Sequence, residues 1–132
     1  MSEPHSKSIS SNRVQDMIAR ESTTFLNQHE KSISLAKQTQ KNFLFGVPLH
    51  WMADWNTPVP LFVERAQGAE FTCVDGHRFI DFCLGDTGAM FGHSPAPVAK
   101  VLQSQSTQGC TTMLPTADAA AAGRALSERF GL

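Results

Sequence analysis

The sequence has no long apolar run. Its longest, Phe43 to Val47, contains a glycine and falls far short of the roughly 20 apolar residues a membrane-spanning helix needs. The first eleven residues are polar and Ser-rich and carry no hydrophobic h-region, so no secretory signal is expected and the cytoplasm is the expected location. Neither charge sign dominates: 11 basic and 12 acidic residues leave a formal net charge of −1, with no basic face for a nucleic acid. The 3 cysteines, Cys73, Cys83 and Cys110, are odd in number and irregularly spaced, which makes a poor disulfide framework. No Cys-x-x-Cys pair suggests a zinc site, and no Gly-x-Ser-x-Gly elbow suggests a hydrolytic nucleophile. Glycine is absent before Gly46, and the only earlier proline is Pro4. Helix is therefore expected in that stretch.

What remains is enough for one domain with a modest core, since the chain has 132 residues. After a tail expected to be disordered (1–10), a helical arm is expected over 11–45. Ser11 or Asn12 can cap its first helix, in which Val14, Ile18, Phe25 and Leu26 form a thin apolar stripe. A second helix is expected from Ser32 to Phe43, ended by Gly46 and Pro48. Residues 46–60 hold three prolines, both tryptophans, His50 and Met52, and read as an ordered loop, because two indoles are costly to leave in water.

The most legible part is 61–84. Phe62 to Ala66, Glu70 to Val74 and Arg78 to Leu84 read as three short strands. Asp75-Gly76 signals a two-residue type I′ hairpin, in which both central residues take positive φ. That register pairs Val74 with His77, Cys73 with Arg78, Thr72 with Phe79 and Phe71 with Ile80. Phe71, Cys73, Ile80 and Phe82 then share one face of an antiparallel meander. Cys73 and His77 fall on opposite faces, so with Cys83 they make no metal site. Over 85–132 a Gly-rich loop is followed by two helices. Ser94 is the expected cap of the first, with Pro95 or Pro97 in its first turn. Thr116 is the expected cap of the second, and Gly131 its terminator.

Few of these residues carry chemistry on their own. The Gly85 to Gly92 loop is a poor phosphate cradle, because it reaches its helix only after Ser94-Pro95 and Asp86 would repel an anion. A turn-rich connector with room for a ligand suits it better. His50, Trp51 and Trp55 could line a pocket, although packing onto the meander accounts for them better from composition alone. Lys100 lies about 200° around its helix from Val98, at 100° per residue, and reads as solvated instead of a desolvated Schiff-base amine.

The order and wording of these segments resemble a known family. Leu61-Phe62-Val63-Glu64-Arg65-Ala66-Gln67-Gly68-Ala69, followed by Val74-Asp75-Gly76-His77-Arg78-Phe79-Ile80-Asp81-Phe82, is similar to the opening strands of class III aminotransferases, "P-lfi-eRA-G-a-l-dvDG-ryiD". Gly85 to Pro95, ending Gly92-His93-Ser94-Pro95, resembles the family's "G-GH-hP" segment. Phe45-Gly46-Val47-Pro48 stands where a "PGG"-like loop follows the arm in the glutamate-1-semialdehyde aminomutase-like and β-amino-acid transaminase-like branches. The resemblance runs from about residue 10 to Leu132.

It implies an α+β segment of a fold-type I pyridoxal-phosphate (PLP) transferase: arm, three-stranded meander of the small domain, and the two helices that start the large domain. It further implies a homodimer, small-molecule amino donors and acceptors, and amino transfer through pyridoxal 5′-phosphate. By resemblance, His50, Trp51, Gly85, Asp86, Thr87 and Gly88 line the substrate side. The family's carboxylate-gripping Arg has no counterpart between Lys41 and Arg65. Its phosphate-binding "S-G-T-E-A" segment, its pyridine-pairing Asp and its Schiff-base Lys have no counterpart in these 132 residues. No catalytic, cofactor-binding or metal-binding residue is therefore assigned, and the chain alone is expected to be inactive. The alternative is a non-catalytic module that docks on a full-length aminotransferase.

Overall fold

A computed structural model describes residues 10–131. Leu132 and residues 1–9, where the disordered tail is expected, lie outside the described residues. The chain divides into two units, Met1–His93 and Ser94–Leu132.

The first unit opens with the Gly-free stretch as helix. α1 (Ser11–Gln28) has Ser10 in the N-cap position, without a side-chain cap bond. His29 interrupts the helix at φ −127°, and α2 (Glu30–Thr39) resumes beyond it. The second helix therefore starts before the expected Ser32 and stops short of Phe43. The early start has its cause outside the helix. The Asp75 carboxylate accepts the Lys31 and Ser32 N–H groups at 2.7 and 3.2 Å and the Ser32 hydroxyl at 2.5 Å. First-turn N–H groups have no partner within their own helix, and an anion there also meets the positive end of the helix dipole. At the other end the Thr39 hydroxyl donates to the Leu35 and Ala36 carbonyls. The chain then turns into Gly46, whose φ of +71° suits glycine.

Three strands follow: β1 (Val63–Gln67), β2 (Glu70–Cys73) and β3 (Arg78–Ile80), in the order β1-β2-β3 and antiparallel throughout. The meander is as expected, but the hairpin register is shifted by one. Phe71 pairs with Phe79, Thr72 with Arg78 and Glu70 with Ile80. The turn is not type I′. The Gly76 N–H donates to the Cys73 carbonyl at 2.9 Å, the Cys73 N–H donates to the His77 carbonyl at 3.0 Å, and Gly76 has φ +89°. This is a three-residue loop, a tight turn closed by a left-handed glycine. Asp75 is not among the positive-φ residues, and its side chain is committed to α2, some 43 residues away in sequence. A one-residue slip exchanges the faces. Phe71, Cys73 and Phe79 thus share a side, with Phe71 and Phe79 stacked at 5.1 Å. Ile80 joins Glu70, Thr72 and Arg78 on the other side, and Phe82 lies beyond the strand and is 95% exposed. β1 carries a bulge between Val63 and Arg65.

The arm reaches the Phe79 side of this sheet. His29, 4% exposed, stacks on Phe25 at 4.1 Å and lies 4.8 Å from His77 and 6.3 Å from Phe79. Its Nδ1 donates to the Phe25 carbonyl at 2.7 Å, and the His77 Nε2 donates to the Gln28 carbonyl at 2.9 Å. The small core includes Ala36, Val47 and the fully buried Cys73.

In the second unit, α3 (Ala96–Gln105) has Pro95, not Ser94, in the N-cap position and Pro97 in its first turn. α4 (Asp118–Phe130) is preceded by Ala117, so Thr116 does not cap it. It ends at Gly131 with φ +68°, as the sequence predicts. The apolar side chains of both helices, among them Val98, Val101, Leu102, Leu126 and Phe130, are exposed. No helix of the described residues is long and apolar enough to cross a membrane.

Candidate functional site

The Gly-rich loop grows out of β3 and returns to the β1–β2 turn. At its start, Asp81 donates its N–H to the Ala69 carbonyl at 2.8 Å. At its end, His93 exchanges two backbone hydrogen bonds with Gly68, of 2.9 and 2.8 Å. The two ends are tied together by side chains: His93 Nε2 lies 2.7 Å from Asp81 Oδ2, with both groups largely buried. The other Asp81 oxygen accepts the Cys83 and Leu84 N–H groups, each at 2.9 Å. The His93 hydrogen bond, followed by that from Leu84, holds the Asp81 carboxyl below the ordinary carboxylate range, against the opposing effect of burial. Sequence reasoning missed this pair. Its signal is an Asp and a His that flank a glycine-rich tract and close it.

Inside the ring the backbone turns left-handed for three residues in succession, with φ of +50° at Leu84, +58° at Gly85 and +56° at Asp86. Ala89 donates to the Leu84 carbonyl at 2.9 Å, and Gly88 to that of Gly85 at 3.0 Å. The expected residues Gly85, Asp86, Thr87 and Gly88 therefore form one exposed turn. Gly92 sits where any side chain would be strained. A Cβ there would lie 3.1 Å from the Gly68 Cα, at a φ of +88°.

His50 and Trp51 sit on a short 3-10 turn (His50–Ala53), with the His50 ring edge-on to Phe45 at 6.5 Å. Trp51 and Trp55 are 47% and 57% exposed, so the expected covering of the indoles is not supplied here. No hydrogen bond or ring contact among the described residues joins this stretch to Gly85–Gly88. The revised hairpin register sets Cys73 and His77 opposite one another, correcting the opposite-face placement. Even so, the described residues hold no group of three His, Cys, Asp or Glu side chains able to bind a metal.

No protein-family model matches the sequence. A glutamate-1-semialdehyde 2,1-aminomutase of Haloquadratum walsbyi is 37% identical over 60 residues, covering 45% of this chain and 14% of the aminomutase. The crystal structure of a glutamate-1-semialdehyde aminomutase from Pseudomonas aeruginosa PAO1 superposes with a TM-score of 0.86 and 42% identity, over 94% of this chain and 27% of that one. A lysine-to-alanine variant of the Pseudomonas enzyme has also been solved in complex with PMP. A β-phenylalanine aminotransferase from Variovorax paradoxus shares the fold, with a TM-score of 0.76 at 20% identity, over 89% of this chain and 27% of its own.

Helical arm, meander and loop together are thus the architecture of one segment of a PLP-dependent aminotransferase. Within that class the sequence is similar to the glutamate-1-semialdehyde aminomutases, of whose solved length it spans about a quarter.

The described residues do not fit the cofactor of these relatives. A Schiff-base lysine must be held out of water to be an amine at neutral pH, whereas Lys31, Lys37, Lys41 and Lys100, the described lysines, are all exposed. A phosphate seat needs free N–H groups at a helix start. Pro95 and Pro97 remove two of them at α3, and Asp118 brings a negative charge to the first turn of α4.

Proposed function

We propose that this chain provides the substrate-side part of a class III PLP-dependent aminotransferase, without holding the cofactor itself. The reaction is transfer of an amino group from an amino acid or amine to a keto acid or aldehyde. The cofactor supplies the electron sink for that reaction when bound. This chain's own residues bind and orient: Gly85–Gly88 offers an exposed turn of backbone groups, and His50 and Trp51 offer an imidazole and an indole face. The observation that carries the reading is the match to the Pseudomonas aminomutase over 94% of the chain at 42% identity. A cytoplasmic setting and assembly as a homodimer, or with the rest of an aminotransferase, belong to the same proposal. The free thiols Cys73, Cys83 and Cys110 agree with that compartment.

Two measurements on the purified chain test the reading. Incubation with pyridoxal phosphate and borohydride should attach no stoichiometric label to any one lysine. Addition of millimolar glutamate or β-alanine should move the amide NMR signals of His50, Trp51 and Gly85–Gly88. Specific labelling of one lysine would overturn the first half, and unmoved signals the second.

A second reading, a non-catalytic module that docks on a full-length aminotransferase, rests on the apolar tip of the same loop. Phe82 and Phe91 are each 95% exposed and Met90 66%, an arrangement that costs solubility unless another surface covers it. Co-purification with a full-length aminotransferase, abolished by Phe91→Asp, would favour it.

A further inference from the structure

We propose that Asp81 and His93 are a positioning pair, which holds the left-handed turn Leu84–Asp86 in the conformation that presents Gly85–Gly88 to a substrate. The proposal rests on the substrate-side reading of that turn but is carried by a separate observation. For an L-residue the left-handed region is unfavourable, because Cβ crowds the following carbonyl oxygen. Here Leu84 and Asp86 adopt it on either side of Gly85, at φ +50° and +56°. Such a conformation persists only where its surroundings over-determine it.

The surroundings can be traced atom by atom. The Leu84 N–H is fixed on Asp81 Oδ1 at 2.9 Å, beside that of Cys83 at the same distance. The turn is closed from within by Asp86 N–H on the Cys83 carbonyl at 3.0 Å and Ala89 N–H on the Leu84 carbonyl at 2.9 Å. Asp81 Oδ1 grips both N–H groups, a local arrangement for an Asp, and His93 fixes the plane of the carboxylate by occupying Oδ2 at 2.7 Å. His93 is itself immobilised by its two backbone bonds to Gly68, while the Asp81 N–H is held by Ala69. Both ends of the loop are therefore referred to one point of the sheet, the Gly68-Ala69 turn. The Asp81–His93 contact transmits that reference to the strained residues. Neither side chain is assigned a part in the chemistry.

The test is amide hydrogen exchange on the 132-residue chain, comparing Leu84 and Ala89 in the loop with Cys73 and Val74 in the meander. His93→Leu should speed exchange at Leu84 and Ala89 by about tenfold or more, and at Cys73 and Val74 by no more than about twofold. His93→Gln keeps an N–H donor and should restore part of the protection, and Asp81→Asn should resemble His93→Leu. Leu84→Gly removes the conformational strain, so in the His93→Leu background it should return protection to Ala89. Unchanged loop exchange in His93→Leu overturns the proposal. So does equal acceleration of loop and meander in both His93→Leu and Asp81→Asn, which would make the pair a general stabiliser. Ligand-induced shifts are read separately: a protected loop that ignores every amino acid would reject the substrate-side reading and leave the positioning role standing.

Discussion

Replacing Asp75 with alanine removes one carboxylate from three donors at once. Two are the Lys31 and Ser32 N–H groups that open α2, and the third is the hydroxyl of Ser32, which is fully buried. Loss of a helix N-cap costs about 0.5–2 kcal/mol. Leaving a buried hydroxyl without a partner costs a further 1–3 kcal/mol or so. Asp75 is only half-buried, so water recovers part of the first contribution, and the sum is about 2–3 kcal/mol. For a unit of this size that corresponds to a fall in Tm of roughly 10–20 °C. Ser32→Ala alone removes the donor and leaves the cap, at a cost of about 1 kcal/mol. The two substitutions should not add. In the double variant no hydroxyl is stranded, so Asp75→Ala/Ser32→Ala should be more stable than Asp75→Ala, by about 1 kcal/mol. Urea unfolding followed by circular dichroism gives all four stabilities. A cost below about 0.5 kcal/mol for Asp75→Ala, or a double variant less stable than either single one, would refute the reasoning.

Further expectations follow from the same contacts. Asp75 and Asp81 both have folded-state pKa values below the ordinary 3.8; for Asp75 burial pushes upward, and the Ser32 hydroxyl, the two N–H groups and nearby His29 together outweigh it. A carboxyl lowered by folding contributes stability that is fully present above its unfolded pKa and lost as pH falls through its folded one. Urea midpoints should therefore lose this contribution only below about pH 4, and Asp75→Asn should flatten that loss. Gly92→Ala forces a methyl to 3.1 Å from the Gly68 backbone, whereas a Cβ on Gly85 meets nothing within 4 Å. Gly92→Ala should therefore cost well over about 1 kcal/mol and Gly85→Ala only the strain of its φ, about 1 kcal/mol, by urea midpoint. Phe82→Asp with Phe91→Asp should change stability by less than about 0.5 kcal/mol while lowering self-association in sedimentation velocity, because both rings are already in water.

Local rules carried the reading far in some places and failed in others for definable reasons. The Gly-free stretch is helix, the alternation of Phe71 and Cys73 is strand, and Gly131 ends α4, because each depends on near neighbours alone. Asp75-Gly76 marked a hairpin correctly but assigned its register one residue off. The deciding contact is between Asp75 and a helix 43 residues earlier, which no local rule sees. The same contact explains why α2 begins at Glu30. At the loop, Gly85 and Gly88 were recognisable as turn residues. The left-handed φ of Leu84 was not, since a leucine does not favour it and the contacts that fix its N–H come from Asp81, itself held by His93 at the ring's closure. His50 and Trp51 were singled out by resemblance and stand exposed on a 3-10 turn.

The central proposal is that this chain supplies the substrate side of an aminotransferase and that its described residues do not hold the cofactor. Its most direct test is reconstitution. The chain is mixed with the portion of the Pseudomonas aminomutase that it does not match, in the presence of pyridoxal phosphate, and amino transfer is assayed against each component alone. The account predicts activity in the mixture and none in the isolated chain, with Asp81→Asn lowering the activity of the mixture. Amino transfer by the isolated chain would contradict it.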